Sequence, residues 1–502
     1  MPLWLALALP ALPLQLAARA LAKPAPLAVV EGPAQRPVVA FCNDAARAAG
    51  IAPGLKLAAA QALAADLIAV ARKPEVEHDA LAALAGWAYQ YSAQVVVRAA
   101  GHHSGLLLEA GASERLFGGR AALERRIARG LGVLGYRAAL ACAPTPRAAW
   151  WLALARAQRL TVPDVTDTAQ LQGALDPLPL PLTEWALQTI DTLHALGLRT
   201  LGQVLRLPRA ALARRLGTAL LADLDCALGH RPDPQPLYAP PERFASEIEL
   251  PADLTEAAQL LFPAHRLLRL AEGFLRGRDA GATEFAFTAR HSARRAQPLA
   301  PTPFALRLAA PERNAARLAR LLAERLARVR LAQPAVALTL AIERLHPFAA
   351  HNASLLPPAP AAQHDTDWLQ LAEALHARFG SERVFQLQAV DDHRPEHAWR
   401  AVPLAVAPAA SRPAPATPQR PLLILPAPRP LTATEEAPHC NGLLTLVAGP
   451  ERIEAGWWDH GTGPRRAVAR DYFVARNPRG QTLWVYRDLA APRGWFLHGW
   501  FA

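Results

Sequence analysis

The side chains of this 502-residue chain that could do metal or acid–base chemistry are few and scattered. Glu109 ends an apolar run at 106–108 that is typical of a strand buried on both faces. Further on, Asp391, His393 and His397 have a spacing that can place two imidazoles near one ion. Because this connecting segment also carries arginine and proline, we interpret the three as surface polar residues. The sequence therefore predicts no metal site and no cofactor.

The cysteines and the N-terminus indicate the compartment. Four cysteines lie far apart and fit no Cys-x-x-Cys spacing, which predicts neither a zinc site nor disulfides: Cys42, Cys142, Cys226 and Cys440. Residues 1–22 are apolar, but no basic segment precedes them and Pro10 and Pro13 interrupt them. We interpret this stretch as a core strand followed by a helix. A cytoplasmic, nucleoid-associated protein without a membrane segment is expected.

The charge balance favours a polyanionic partner. Lys plus Arg number 54 against 42 Asp plus Glu, a net charge of +12 that is nearly all arginine. Arginine contacts to phosphates give salt-dependent affinity for nucleic acids. A GC-rich genome that favours arginine codons is the alternative explanation.

The elements that must position any site follow from the hydrophobic pattern. Residues 3–9 and 94–97 are predicted strands that form a sheet with 106–108. Further strands are expected at 26–30, 38–40 and 137–143, and helices at 57–65, 75–91 and 120–134.

This arrangement resembles the palm and fingers of Y-family translesion DNA polymerases. In that family, acidic residues on the first strand and an acidic pair on the later one hold catalytic magnesium, and a lysine contacts the triphosphate. The corresponding positions here are Ala6, Ala8, Ser104, Gly105 and Trp150. None of these side chains can hold a metal ion. The resemblance therefore implies a degenerate active site and no polymerase activity.

One family position for nucleotide contact is retained. The family's Tyr-x-x-Arg segment grips the incoming triphosphate, and Asp44 and Arg47 stand at its two ends here. Arg47 is thus a vestigial nucleotide-binding candidate. The alternative is a solvated arginine paired with the helix dipole.

The segment after a proline-rich connector, 176–182, resembles a helix-hairpin-helix. Helices are expected at 183–196 and 201–207, and a third helix begins at Pro208 and ends at Gly217. Backbone N–H groups of such a hairpin can hold a phosphate. The residues predicted to bind DNA are Gly197, Leu198, Arg199, Thr200, Gly202, Arg209, Arg214 and Arg215.

The next segment alternates strands and helices in a β-α-β-β-α-β order, which is ferredoxin-like and resembles the little finger. After it, Asn352, Ser354, Leu355 and Leu356 are a degenerate match to the sliding-clamp-binding peptide of the family. A chance match of so short a motif is the alternative.

The C-terminal tail resembles that of a bacterial branch of the Y family that has lost polymerase activity. Its aromatic residues are expected to form a small core and a partner-binding surface: Trp457, Trp458, Trp495, Trp500 and Phe501. For this branch, the resemblance implies four partners. They are primer–template DNA, the β sliding clamp, a RecA-like accessory protein and an error-prone DnaE-type polymerase.

The expected fold class is α+β multidomain, a Y-family right hand followed by a small β-rich C-terminal domain. The palm is predicted at 1–22 and 70–165, fingers at 23–69, thumb at 166–240 and little finger at 241–350. A clamp-peptide loop with connecting elements is expected at 351–400, an Ala/Pro linker at 401–419 and the partner-binding tail at 420–502. The expected function is non-catalytic recruitment in damage-induced mutagenesis. Two alternatives are an active translesion polymerase with divergent metal ligands and a scaffold that does not bind DNA.

Overall fold

The chain forms two compact units, Met1–Gln363 and His364–Ala502. The structure, a computed structural model, describes residues 2–19, 25–292, 300–348, 360–380, 383–402, 420–434, 437–457, 467–490 and 493–501. The second unit starts upstream of the predicted tail, because it also includes residues 383–402. The other boundaries proposed from the sequence stay predictions.

The predicted palm and fingers contain seven strands and six helices within the described residues. In chain order they are β1 (Trp4–Ala8), α1 (Leu12–Arg19), β2 (Leu27–Glu31), β3 (Val38–Cys42), α2 (Asp44–Ala48), α3 (Leu57–Leu63), β4 (Ile68–Ala71), α4 (Pro74–Ala88), β5 (Val95–Ala100), β6 (His103–Glu109), α5 (Arg120–Val133), β7 (Ala139–Ala143) and α6 (Pro146–Ala157). The local sequence explains where helices α4 and α6 begin. Proline is the first residue of α4 and of α6, and the Thr145 side chain caps α6 by accepting from the Ala148 N–H.

The palm sheet has the order β5-β6-β1-β7, and β1 is antiparallel to both of its neighbours. Every residue of β1 is buried, as its continuous apolar run predicted. The fingers form a separate sheet of order β3-β2-β4, in which β2 and β4 are parallel. Helices α2 and α3 contribute Ala46 and Ala60 to the core against this sheet.

The predicted thumb is helical, with α7 (Leu171–Leu175), α8 (Leu187–Ala195), α9 (Leu201–Leu205), α10 (Arg209–Leu216) and α11 (Thr218–Leu228). Helix α8 begins later than predicted, because residues 180–183 form a 3-10 turn and Glu184 follows in a left-handed conformation with φ of 59°. Gly217 ends α10 as expected.

The predicted little finger contains β8 (Phe244–Leu254), α12 (Leu261–Gly277), β9 (Ala280–His291), β10 (Thr302–Glu312), α13 (Ala315–Leu326), β11 (Ala335–Ile342) and the short β12 (His346–Pro347). The order of elements is the predicted β-α-β-β-α-β. In the sheet, β11 lies between β8 and β9 and is antiparallel to both.

Helix α12 packs against α4 through residues without side chains. The Trp87 ring of α4 lies very close to Gly273 of α12 and to Gly130 of α5. A Cβ atom added at Gly273 would come within 2.2 Å of the ring, and one added at Gly130 within 2.4 Å. A Cβ at Gly277 would lie 3.0 Å from the Gln90 backbone nitrogen. Only glycine permits this approach. The predicted little finger is therefore closely packed on the helical face of the palm.

The second unit combines helix α14 (Pro360–Phe379) with a hairpin and a six-stranded sheet. Its strands are β13 (Gln386–Ala389), β14 (Trp399–Val402), β15 (Leu423–Ala433), β16 (Pro438–His439), β17 (Thr445–Ala455), β18 (Val468–Arg476), β19 (Thr482–Asp488) and β20 (Gly494–Trp500). The larger sheet has the order β16-β15-β20-β19-β18-β17. Within the described ranges, no helix is both long and apolar enough to cross a membrane.

Candidate functional site

The positions that correspond to the family's metal ligands lie inside the palm core. Ala6 and Ala8 are 0% and 1% exposed and pack in the core that α6 covers. Gly105 pairs directly with Ala8, so it lies on the same face of the sheet. Ser104 is also buried, and the alternation of strand residues places it on the opposite face.

The backbone of β1 and the Trp150 ring leave no room for a side chain at position 105. A Cβ on Gly105 would lie 2.1 Å from the Leu7 carbonyl oxygen and 2.9 Å from a carbon of the Trp150 ring. Trp150 itself is 1% exposed. A carboxylate at position 105 would therefore require both the strand and the indole to move.

A polar cluster adjoins this indole. The Trp150 Nε1–H donates to Glu184 Oε2 at 3.0 Å, and the Arg98 guanidinium donates to the same oxygen at 2.9 Å. His103 Nδ1 lies 3.3 Å from Glu184 Oε1. Burial alone would raise the Glu184 pKa, but the His103 hydrogen bond and the Arg98 charge hold the pKa below its ordinary value. The Glu184 carboxylate is thus ionised, and the Arg98 and Trp150 donors occupy one of its oxygens.

Glu109, the acidic residue at the end of the strand, has a structural role. Its carboxylate accepts hydrogen bonds from the backbone N–H groups of Leu3, Gly111 and Ala112 at 3.2, 3.0 and 3.2 Å. It therefore fixes the start of β1 and the turn after β6. Across the described residues, no three His, Cys, Asp or Glu side chains come together so that they could hold a metal ion.

Arg47 lies on the short helix α2 of the fingers, next to the end of the helix. Its guanidinium contacts Asp44 at 2.5 Å, and the two side chains are 55% and 79% exposed. An exposed pair of this kind is weak. Arg47 therefore remains accessible to a ligand, and its nucleotide role stays a prediction.

The hairpin of the predicted thumb uses its own backbone N–H groups. Those of Gly197 and Leu198 donate to carbonyls of α8, and those of Arg199 and Thr200 donate to the Gln203 side chain. The Gly202 N–H donates to the Asp176 carbonyl, and a Cβ on Gly202 would lie 2.8 Å from the Asp176 carboxylate. The N–H groups predicted to hold a phosphate thus have intramolecular acceptors.

The thumb arginines differ in how free their charges are. Arg209 Nη2 donates to both carboxylate oxygens of Asp225, at 2.8 and 2.7 Å, and Arg199 donates to the His194 carbonyl. Arg214 and Arg215 are exposed at the end of α10 and form no ion pair with any residue of the described ranges. Of the predicted DNA-binding set, these two have the most accessible charge.

The tail aromatics are mostly core residues. Trp495 and Trp500 pack against the cluster around Leu483 on one face of the six-stranded sheet, and Phe501 packs against the other face. Trp457, in contrast, is 76% exposed. Trp458 and the predicted clamp peptide, Asn352 to Leu356, lie outside the described residues.

A series of buried polar contacts connects four side chains of the second unit. Glu396 pairs with Arg470 at 2.8 Å, Arg470 contacts the Tyr472 hydroxyl at 3.2 Å, and that hydroxyl lies 2.8 Å from His498 Nδ1. Burial lowers the pKa of His498 to about 4, with the nearby Arg470 charge acting in the same direction. Within the second unit, these contacts therefore join Glu396 to strands β18 and β20.

Two relatives decide the family. Protein ImuB from each of two Caulobacter vibrioides strains is 30% identical to this chain over 473 residues, which is 90% of this chain and 100% of the relative. The chain belongs to the ImuB family. The impB/mucB/samB (IMS) family also matches residues 13–153 of this ImuB homologue.

Solved structures of similar proteins are Y-family polymerases. DinB from Sulfolobus solfataricus is 16% identical, covers 69% of this chain and 100% of its own, and gives a TM-score of 0.37. An insertion ternary complex of Dbh DNA polymerase is 16% identical, with coverage of 69% and 99% and a TM-score of 0.38.

The predicted fold class is confirmed for this ImuB homologue. It is a multidomain α+β chain with Y-family elements and an additional β-rich domain at the C-terminus. Sequence reasoning missed Glu184 and Asp176, whose partners lie far away along the chain or depend on close packing. The sole sequence signal for Glu184 was an acidic residue just after the apolar, proline-rich connector.

Proposed function

We propose that this ImuB homologue is a non-catalytic platform for damage-induced translesion synthesis. It binds primer–template DNA and the β sliding clamp, and it recruits the RecA-like protein ImuA and an error-prone DnaE-type polymerase. That polymerase performs the synthesis. Such a role places the protein at the nucleoid.

The packing at Gly105 is the observation that supports the absence of polymerase activity in this proposal. The Leu7 carbonyl and the Trp150 ring occupy the space that a carboxylate at this position would need. Two-metal phosphoryl transfer requires carboxylates that bridge both ions. The buried alanines at positions 6 and 8 support the same proposal.

Arg214 and Arg215 support DNA binding through the thumb, because they are exposed and project from one helix end. Fluorescence anisotropy with labelled primer–template DNA over a range of salt concentrations tests this. Arg214→Gln with Arg215→Gln should weaken binding and reduce the slope of log affinity against log salt by about two. A matched control, Arg400→Gln with Arg479→Gln, removes the same charge from the second unit and should leave the slope unchanged. An unchanged slope in the thumb variant would reject this contact.

The second candidate is a scaffold that does not bind DNA. The intramolecular acceptors of the hairpin N–H groups and the Arg209–Asp225 pair favour it, since both reduce the groups free for phosphate. The scaffold hypothesis predicts that the wild-type chain shows no salt-dependent binding to primer–template DNA.

Clamp docking is proposed through the peptide at Asn352, Ser354, Leu355 and Leu356. Leu355→Ala with Leu356→Ala should abolish clamp retention in a pull-down, because two apolar anchors are lost. Leu422→Ala with Leu423→Ala is a matched control, since these leucines are 88% and 59% exposed. Unchanged clamp retention by the peptide variant would show that the clamp binds another part of the chain.

A further inference from the structure

A cleft of about 500 Å³ lies between three parts of the first unit. Helices α1 and α4, the fingers strands β2 and β4 and the first strand of the little finger, β8, form its walls. Helix α12 also lines the cleft, through Arg266, Leu270 and Phe274. Its volume is in the range of sites that hold small organic ligands, and it is too small for a duplex.

Two arginines meet at one side of this cleft. Arg19 reaches from the end of α1, and Arg266 reaches from α12. A Cβ on Gly135 would lie 3.6 Å from Arg19 Nε and 3.5 Å from Arg266 Cζ, so both guanidiniums border the same glycine. Gly135 has a φ of 78°, a backbone conformation that favours glycine.

Neither guanidinium has a carboxylate partner in the part of the chain that the structure describes. Arg19 stacks 3.5 Å over the Tyr136 ring and donates to the Leu134 carbonyl, while its buried Nε has no hydrogen-bond partner. Arg266 stacks over Phe262 at 4.8 Å. Burial lowers the Arg266 pKa, and the adjacent Arg19 charge lowers it further. Two like charges are therefore held close together, and no carboxylate of the described residues pairs with either of them.

The cleft's other charges are largely neutralised. Arg72 is paired with Glu77, Lys73 with Glu249, and Glu247 with Arg290, while Asp79 is exposed. The remaining walls are apolar or aromatic, and include Leu16, Val29, Val70, Ala83, Phe244 and Phe274. The chemistry that complements the cleft is therefore an oxyanion head on an apolar body.

We propose that this cleft binds a small amphipathic anion, a phosphate-type oxyanion on an aromatic or apolar body, with Arg19 and Arg266 as the oxyanion ligands. Arginine forks match the geometry of such oxyanions. Nucleotides belong to this ligand class. The inference is independent of the proposed DNA and clamp roles.

Isothermal titration of the full chain with ATP in EDTA, and separately with the aromatic sulfonate 1-anilinonaphthalene-8-sulfonate, tests the proposal. We expect saturable binding of at least one probe, which inorganic phosphate displaces. Arg266→Gln should weaken it about tenfold or more, because a charge-assisted contact is lost. Arg479→Gln, an exposed arginine of the second unit that is not proposed to bind DNA, should change it less than about twofold.

A second variant guards against misfolding as the cause of lost binding. Ala83→Leu adds apolar volume to the cleft wall without touching either arginine, and should also weaken binding while far-UV circular dichroism stays unchanged. Absence of saturable binding by both probes would overturn the proposal. Equal affinity in the wild type and both cleft variants, or equal loss in Arg479→Gln and Arg266→Gln, would also overturn it.

Discussion

At the scale of single residues, the contact between Gly105 and Trp150 determines whether a metal-binding carboxylate fits in the palm core. The strand pattern was readable from the sequence, and so was the absence of carboxylates at Ala6, Ala8, Ser104 and Gly105. What could not be read was that the Trp150 ring fills the space above the glycine, because that contact joins residues 45 positions apart (150 minus 105). The alternation of a strand fixes a face, but it does not identify the neighbour on that face.

Gly105→Ala should destabilise the chain. The new Cβ would lie 2.1 Å from the Leu7 carbonyl oxygen, so β1 or β6 must shift, at a cost of about 2 kcal/mol or more in the free energy of unfolding. Gly132→Ala is the matched control, since nothing lies within 4 Å of its added Cβ and alanine favours a helix. Urea unfolding of both variants measures the difference. Equal stability of the two variants would contradict the packing described for Gly105.

His498 should make the second unit sensitive to mild acid. The folded-state pKa is about 4, below the ordinary value of about 6.5, so the unfolded chain binds the proton more readily. Stability from the neutral ring is complete above pH 6.5 and is lost as the pH falls from there towards 4. Hydrogen exchange of peptides from β18 to β20, corrected for intrinsic rates, should rise over this range.

The matched variant is His498→Gln, which keeps a polar side chain near Tyr472 and does not titrate. Its exchange should show no inflection between pH 6.5 and 4. The same inflection in both proteins would assign the acid response to another group.

At the scale of elements, the sequence indicated most helices and strands to within a few residues. Helix α5 and strand β7 fall inside their predicted bounds of 120–134 and 137–143. The departures have local causes, such as the 3-10 turn before α8. The packing of α12 on α4 was not predicted, because glycines within a helix pattern do not reveal which partner approaches them.

Gly273→Ala should loosen the predicted little finger from the palm. Its Cβ would lie 2.2 Å from the Trp87 ring, so the two helices must separate. We expect faster proteolysis of the connector at 229–243 in this variant. Gly173→Ala, where nothing lies within 4 Å of the new Cβ, should be cleaved like the wild type. Identical cleavage of all three proteins would show that this contact does not hold the two parts together.

At the scale of the whole molecule, family membership and fold agree with the resemblance seen in the sequence. Residues 383–402, before the Ala/Pro linker, belong to the same compact unit as the tail sheet. Their link to the sheet is the Glu396–Arg470 pair, whose partners are 74 residues apart. Periodicity and turn signals act over a few residues, so they do not reveal pairs at such separations.

Primer extension tests the central claim most directly. The full chain is incubated with magnesium or manganese and the four deoxynucleotides on damaged and undamaged primer–templates, and a gel shift is run on the same DNA. We expect a shifted band without any extended product. Primer extension above that of a blank preparation, persisting through repurification, would contradict a non-catalytic palm. The palm would then hold metal ions through residues outside positions 6, 8, 104 and 105.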